Sequence, residues 1–188
     1  LPIHNEIVHA DVRIAKTDKT GDATLSGALI EVRNSEGEII CRDYTGEDGY
    51  LPALPAVPGT YTYREVLAPE GYALDDTEMT FTINEQGEVV GQTTIADEFS
   101  RFSIRKVDPQ HRPLEGVEYG LFREDGTLHS TAVTDSEGLA TFERIPYGSY
   151  TIEEIKQLPG YVKDHTKTPI TVDGTFKNPD APIATLTN

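Results

Sequence analysis

The chain has 188 residues, a single cysteine and a formal net charge of −16, from 32 acidic against 16 basic side chains. That charge argues against nucleic acid and anionic membrane surfaces as partners. A lone Cys41 excludes an intrachain disulfide, and no apolar run approaches the length of a membrane span. The length suits one large domain or two of about 90 residues, and a domain that small is marginal without some staple.

In chain order, apolar–polar alternation predicts strands over 11–17, 28–33, 38–45, 60–67, 78–84 and 88–97. Turn chemistry separates them at Ser35-Glu36-Gly37, Glu47-Asp48-Gly49 and Val57-Pro58-Gly59. After residue 98 the pattern begins again, with turns at Glu124-Asp125-Gly126, Ser136-Glu137-Gly138 and Pro146-Tyr147-Gly148. No segment of useful length sustains a 3.6-residue period.

The second half repeats the first. At a constant offset of 89, Gly27 meets Gly116, Gly49 meets Gly138, Gly59 meets Gly148, Tyr61 meets Tyr150 and Glu65 meets Glu154. The offset drifts at the edges, where Lys16 pairs with Lys106 and Asp97 with Asn188. The predicted fold is all-β: two tandem β-sandwiches arranged as a rod, over residues 9–98 and 99–188. Ile3-His4-Asn5 resembles Ile95-Ala96-Asp97 and Leu186-Thr187-Asn188. Residues 1–8 are therefore expected to be the last strand and linker of a preceding domain of the same type.

Strand phase then places polar groups on apolar faces. Lys16 shares a face with Val12 and Ile14, and Lys106 with Phe102 and Ile104. Glu65 follows Tyr61 and Tyr63, and Glu154 follows Tyr150 and Ile152; Asp97 follows Ile95, and Asn188 follows Leu186. Ionisable groups are rarely buried unless they meet partners. Burial favours a neutral amine and a protonated Glu, so the amine can attack the third residue's carbonyl while the Glu moves protons. Phase alone leaves a second reading open, a buried Lys–Glu ion pair with a hydrogen-bonded Asp or Asn and no covalent chemistry.

These residues resemble a known family, the Cna protein B-type (SpaA-type, prealbumin-like) domains of Gram-positive pilins and adhesins. The resemblance rests on Ile14-Ala15-Lys16-Thr17-Asp18 and Ile104-Arg105-Lys106-Val107-Asp108. It continues in Tyr63-Arg64-Glu65-Val66-Leu67-Ala68-Pro69-Glu70-Gly71-Tyr72, Ile152-Glu153-Glu154-Ile155, Pro159-Gly160-Tyr161 and the closing Leu186-Thr187-Asn188. It implies reverse-immunoglobulin-like sandwiches with an isopeptide bond between first and last strands. Lys16 and Lys106 would be nucleophiles, Glu65 and Glu154 catalytic, and Asp97 and Asn188 acceptors. Asp97 departs from the usual Asn, so water would leave in place of ammonia.

The function expected is mechanical: a stalk segment of a surface adhesin or pilin, extracellular and anchored to the cell wall through regions outside this segment. A rival reading is an adhesive module that binds a host protein or glycan through its loops. A turnover enzyme is disfavoured, since no nucleophile elbow, P-loop or paired catalytic carboxylates occur. Histidines 4, 9, 111, 129 and 165 lack metal-ligand spacing, so no metal or other cofactor is expected. The partners expected are neighbouring domains of the same chain, with host protein or glycan engaged through other domains, no nucleic acid, no membrane insertion, and a monomeric segment.

Overall fold

A computed structural model of the chain describes residues 8–188. The expected remnant of a preceding domain, Leu1 to about Glu6, lies outside the described residues. The chain divides into two compact units, one running through Pro69 with Leu74–Glu98, the other comprising Glu70–Ala73 with Phe99–Asn188.

The first unit carries β1 (Ala10–Val12), β2 (Ala15–Asp18), β3 (Leu29–Arg33), β4 (Ile39–Tyr44) and β5 (Leu54–Ala56). They are followed by β6 (Gly59–Leu67), β7 (Met79–Ile83), β8 (Val89–Gly91) and β9 (Thr94–Asp97). One layer is a five-stranded antiparallel sheet ordered β4-β3-β6-β7-β8. The other is built from β1 paired antiparallel with β5, and β2 paired parallel with β9. Every second residue of these strands faces inward, so Val12, Ile14 and Ile95 pack with Ile30, Val32, Tyr63 and Phe81 in one core. The rings of Tyr61 and Phe81 stack with centroids 5.2 Å apart.

Two predicted strands are divided. The one expected over 11–17 breaks between Val12 and Ala15, and the one expected over 88–97 becomes β8 and β9. The second division has a structural purpose: β8 pairs with β7 in one layer and β9 with β2 in the other, so the chain changes layers at Gln92-Thr93. Strand β5 lies outside the predicted strands; its three residues include Pro55, which signals a turn rather than a strand.

The second unit carries β10 (Arg101–Val107), β11 (Glu118–Arg123), β12 (Leu128–Val133), β13 (Leu139–Glu143), β14 (Gly148–Lys156), β15 (Lys167–Val172) and β16 (Ala184–Thr187). Its layers are β12-β11-β14-β15 and β13-β10-β16, with β10 antiparallel to β13 and parallel to β16. Here the opening strand is continuous. Residues 173–176 form a turn, held by the Thr175 N–H donating to Asp173 Oδ1, and the first unit turns at the equivalent Asn84–Gly87 before entering β8. Phe102, Ile104, Val117, Tyr119, Leu121, Phe142 and Ile152 form the core.

Two repeated residues fix the frame around the opening strand. Thr134, fully buried, accepts the Val117 N–H at 2.9 Å and donates its hydroxyl to the Leu114 carbonyl at 2.6 Å. Thr45 does the same for Ala28 and Leu25. The turn glycines Gly49 and Gly138 adopt φ of +78° and +75°, a region costly for other residues. Their carbonyls each accept the backbone N–H of a buried lysine, Lys16 and Lys106, at 2.8 Å. A Cβ on Gly138 would lie 2.4 Å from the Lys106 carbonyl oxygen.

Thr134→Val keeps the volume but strands two buried backbone groups. It is expected to cost about 1–3 kcal/mol in denaturant unfolding of the second domain; a loss below about 0.5 kcal/mol would mean that water or a relaxed backbone takes over the hydroxyl's role. Gly138→Ala combines left-handed strain with the clash, so a loss of more than about 1 kcal/mol is expected in the same assay.

Candidate functional site

Each core contains a lysine that the strand pattern gives no means of reaching water. In the first domain the Lys16 side chain is 0% exposed, as are those of Glu65 and Asp97. Three different strands deliver them: β2, β6 and β9. The parallel register sets Lys16 opposite Ile95 and carries Asp97 two residues further along, so both side chains point into the same interior. Lys16 Nζ lies against Asp97 Oδ1 and 3.4 Å from Glu65 Oε1. The Asp75 N–H donates to Glu65 Oε2 at 3.3 Å.

The electrostatics follow from burial. Removal from water, reinforced by the neighbouring Asp97 charge and opposed by Lys16, pushes the Glu65 carboxyl up to about 9. Burial likewise raises Asp97, against the opposing pull of Lys16. Two carboxyls that resist ionisation therefore flank one amine in a water-excluded pocket. The centre sets a primary amine against a carboxyl oxygen, with a second carboxyl alongside.

The second domain assembles a related but different group. Lys106 is 0% exposed, and its Nζ stands 3.2 Å from Glu154 Oε2. Asp164 reaches it as well, its Oδ2 accepting from Nζ at 3.0 Å. Asn188 follows β16, its backbone N–H donating to the Val107 carbonyl at 3.1 Å. Both side-chain atoms of Asn188 are buried and have no hydrogen-bond partner among the described residues. Of the residues singled out by sequence, the structure thus brings Lys16, Glu65 and Asp97 together. It joins Lys106 to Glu154, and leaves the Asn188 carboxamide buried and unpaired beside the same strand.

The Lys-x-Asp motif divides its labour. Asp18 and Asp108 take no part in either lysine centre; they cap the turn after the opening strand. Asp108 accepts the Gln110 and Arg112 N–H groups at 2.8 and 2.9 Å, and Asp18 accepts from the Thr20 hydroxyl at 2.8 Å.

Two participants were missed by sequence reasoning. Asp164 sits in the loop between β14 and β15, where no strand period assigns a face; the repeat was the available signal, since Asp75 matches it at the offset of 89. Tyr119 projects from β11 opposite Glu154 in the register. Its phenol is buried without a hydrogen-bond partner among the described residues. Burial raises its pKa, and the charges of Glu154 and Asp164 add to the rise. Tyr63 in the first core is also driven up by burial, to about 12, but donates to the Gln92 carbonyl at 2.8 Å.

Among the described residues no group of three or more His, Cys, Asp or Glu is placed to hold a metal ion, and no helix is long and apolar enough to cross a membrane. Cys41 is partly buried against the first core.

Comparison with known proteins gives the family. A family model, SpaA: Prealbumin-like fold domain, matches residues 10–98 and again 100–181. Among solved structures, the Bacillus anthracis TIE protein is 27% identical with a TM-score of 0.55, the match covering 96% of this chain and 34% of that one. A streptococcal ancillary pilin is 18% identical with a TM-score of 0.42, over 91% of this chain and 61% of that one. Colossin-A of Dictyostelium discoideum is 25% identical over 156 residues, 72% of this chain and 1% of Colossin-A. The chain therefore spans about a third of the TIE structure and a very small part of Colossin-A. Domains of the matched family are structural rather than enzymatic. With both halves matched in turn, the chain belongs to the SpaA-type prealbumin-like fold family, as two tandem all-β domains.

Proposed function

We propose that the chain is a stalk segment of an extracellular surface adhesin or pilin, whose two domains, over residues 9–98 and 99–188, each form one isopeptide bond without any external enzyme. The observation that carries this reading is the buried contact of Lys16 Nζ with Asp97 Oδ1 beside a Glu65 carboxyl held in its protonated form.

The chemistry balances within each site. In the first domain the neutral Lys16 amine attacks Cγ of a protonated Asp97. Glu65 hydrogen-bonds the carboxyl and carries a proton from nitrogen to the departing hydroxyl, and water leaves as the amide forms. In the second domain Lys106 attacks the Asn188 carboxamide, Glu154 carries the proton to its nitrogen, and ammonia leaves. Each event happens once per molecule. A Lys16–Asp97 bond closes a loop of about 80 residues, and removing that much freedom from the unfolded chain contributes about 4–5 kcal/mol on the loop-entropy account. Such a cross-link resists reducing agents. It supplies the staple that one cysteine cannot.

Intact mass under denaturing conditions should fall short of the sequence mass by roughly 35 Da, about 18 from water and about 17 from ammonia. Glu65→Ala and Glu154→Ala should each restore one of these losses. An unshifted mass would leave two buried ionic centres and remove the covalent mechanism.

The raised Glu65 carboxyl also sets a pH dependence. Between its ordinary value of 4.5 and about 9, the folded, unreacted domain holds a proton that the unfolded chain has released. That unreacted domain therefore loses stability as pH rises through this window. Bond formation should likewise slow by about tenfold per pH unit above about 9, as the shuttling proton is lost. The check is to collect the chain unfolded in denaturant, refold it by dilution across a pH series, quench in acid and weigh it. A rate for the 18 Da loss that still climbs at about pH 10 would show that the Glu65 proton is not used.

A further inference from the structure

Asp75 and Asp164 occupy equivalent places, in the loops before β7 and β15, yet their carboxylates are engaged differently. In the second domain Asp164 Oδ1 accepts the Thr166 N–H at 2.8 Å while Oδ2 accepts from Lys106 Nζ at 3.0 Å. In the first domain Asp75 Oδ1 accepts the Thr77 hydroxyl and N–H, and Oδ2 lies 3.9 Å from Lys19 Nζ. Lys16 is left to Asp97 and Glu65. The sequence supplies a reason. Three residues past each buried lysine, the first domain has the cation Lys19 and the second has Pro109. With no rival cation there, Asp164 turns to the buried one.

We infer that Asp164 is a positioning residue that holds Lys106 as its ammonium and so delays the attack of Lys106 on Asn188. The inference rests on the proposed cross-linking reaction. An ammonium has no lone pair to offer a carbonyl, and a carboxylate at 3.0 Å in a largely water-excluded site favours the charged form. Asp164 is suited to the task because it stays ionised: burial opposes that, but the Thr166 hydrogen bonds and Lys106 more than offset it, and its carboxyl lies below the ordinary range. The other groups that face Lys106 are Glu154, which approaches from β14 at 3.2 Å, and Tyr119, which projects from β11; Asn188, after β16, carries no side-chain charge. In the first domain the acceptor Asp97 itself contacts the lysine, so the contact that pairs the amine also sets it against its target. In the second domain pairing and attack use different residues, and the first restrains the second.

The test is the refolding assay with acid quench and mass readout, on wild type, Asp164→Asn and Asp164→Glu. The Asn variant keeps the oxygen that accepts the Thr166 N–H but loses the charge. At pH 6 it should show the 17 Da loss faster than wild type, by about tenfold, because a close carboxylate no longer favours the charged amine. The advantage should shrink as pH rises. Asp164→Glu, which restores the charge, should return the rate towards that of wild type. The 18 Da loss of the first domain in the same molecules is the internal clock and should not move. Rates are compared once far-UV circular dichroism shows the refolded native signal. If Asp164→Asn proves unable to refold, a lower Lys106 titration midpoint by NMR in Asp164→Ser with Glu154→Gln, against Glu154→Gln alone, supports the inference; an unchanged midpoint overturns it. A 17 Da loss that is unchanged or slower in a folded Asp164→Asn overturns it too. The absence of either loss in wild type would instead defeat the cross-linking reading itself.

Discussion

Placing an amine among carboxyls where no water reaches is the constraint on which the rest of this structure depends. An isolated ion in such a place costs several kcal/mol. Lys16, Glu65 and Asp97 limit that cost by sharing protons, as the upward shifts of both carboxyls indicate. The surrounding architecture keeps the group together. Gly49 and Gly138 bond the lysine N–H groups, Leu25 and Leu114 donate to the lysine carbonyls, and Thr45 and Thr134 tie down the following loop. Covalent closure of Lys16 onto Asp97 would convert that buried pair into an uncharged amide.

The two copies form a natural comparison on one backbone plan. Where the first domain has Tyr63 on β6, the second has Ile152; where the second has Tyr119 on β11, the first has Ile30. Each core thus buries a tyrosine where the other has an isoleucine, but from a different strand. The consequence is chemical as well as steric. Tyr63 finds the Gln92 carbonyl at the point where the chain changes layers, whereas Tyr119 lies across from Glu154 with an unpaired phenol. A shared fold therefore does not guarantee a shared electrostatic environment, and Lys16 and Lys106 are held by different sets of carboxyls.

Much of this was legible in the sequence because the carriers of the signal are local. Period-two alternation put Lys16, Glu65 and Asp97 in phase with core residues, and all three are buried. Turn glycines in constant register carry the repeat in the sequence itself. What escaped has a common cause. The layer change at Gln92-Thr93, the short β5 with Pro55, and the Asp164 contact are decided by which segments meet in space, and alternation along one segment is silent about that. Asp164 is the clearest case: a loop residue has no phase, and its partner Lys106 lies 58 residues away in the chain.

The direction of the closing strands bears on the proposed mechanical role. β2 pairs parallel with β9 from Ala15 opposite Thr94 to Asp18 opposite Asp97, and β10 pairs parallel with β16 from Ile104 opposite Ala184 to Val107 opposite Thr187. Pulling a domain by its ends draws the first strand back by its start and the last strand forward by its finish. In a parallel pair those pulls slide one strand along the other, so the ladder resists as a set rather than opening one bond at a time. A cross-link between Lys16 and Asp97 would join the same two strands, at residues two register positions apart. Tension would then pass from β2 to β9 through an amide, and the strands between them would be spared the load. The buried centre and the parallel pairing thus act on the same two strands, the ones through which a stretched domain would be held.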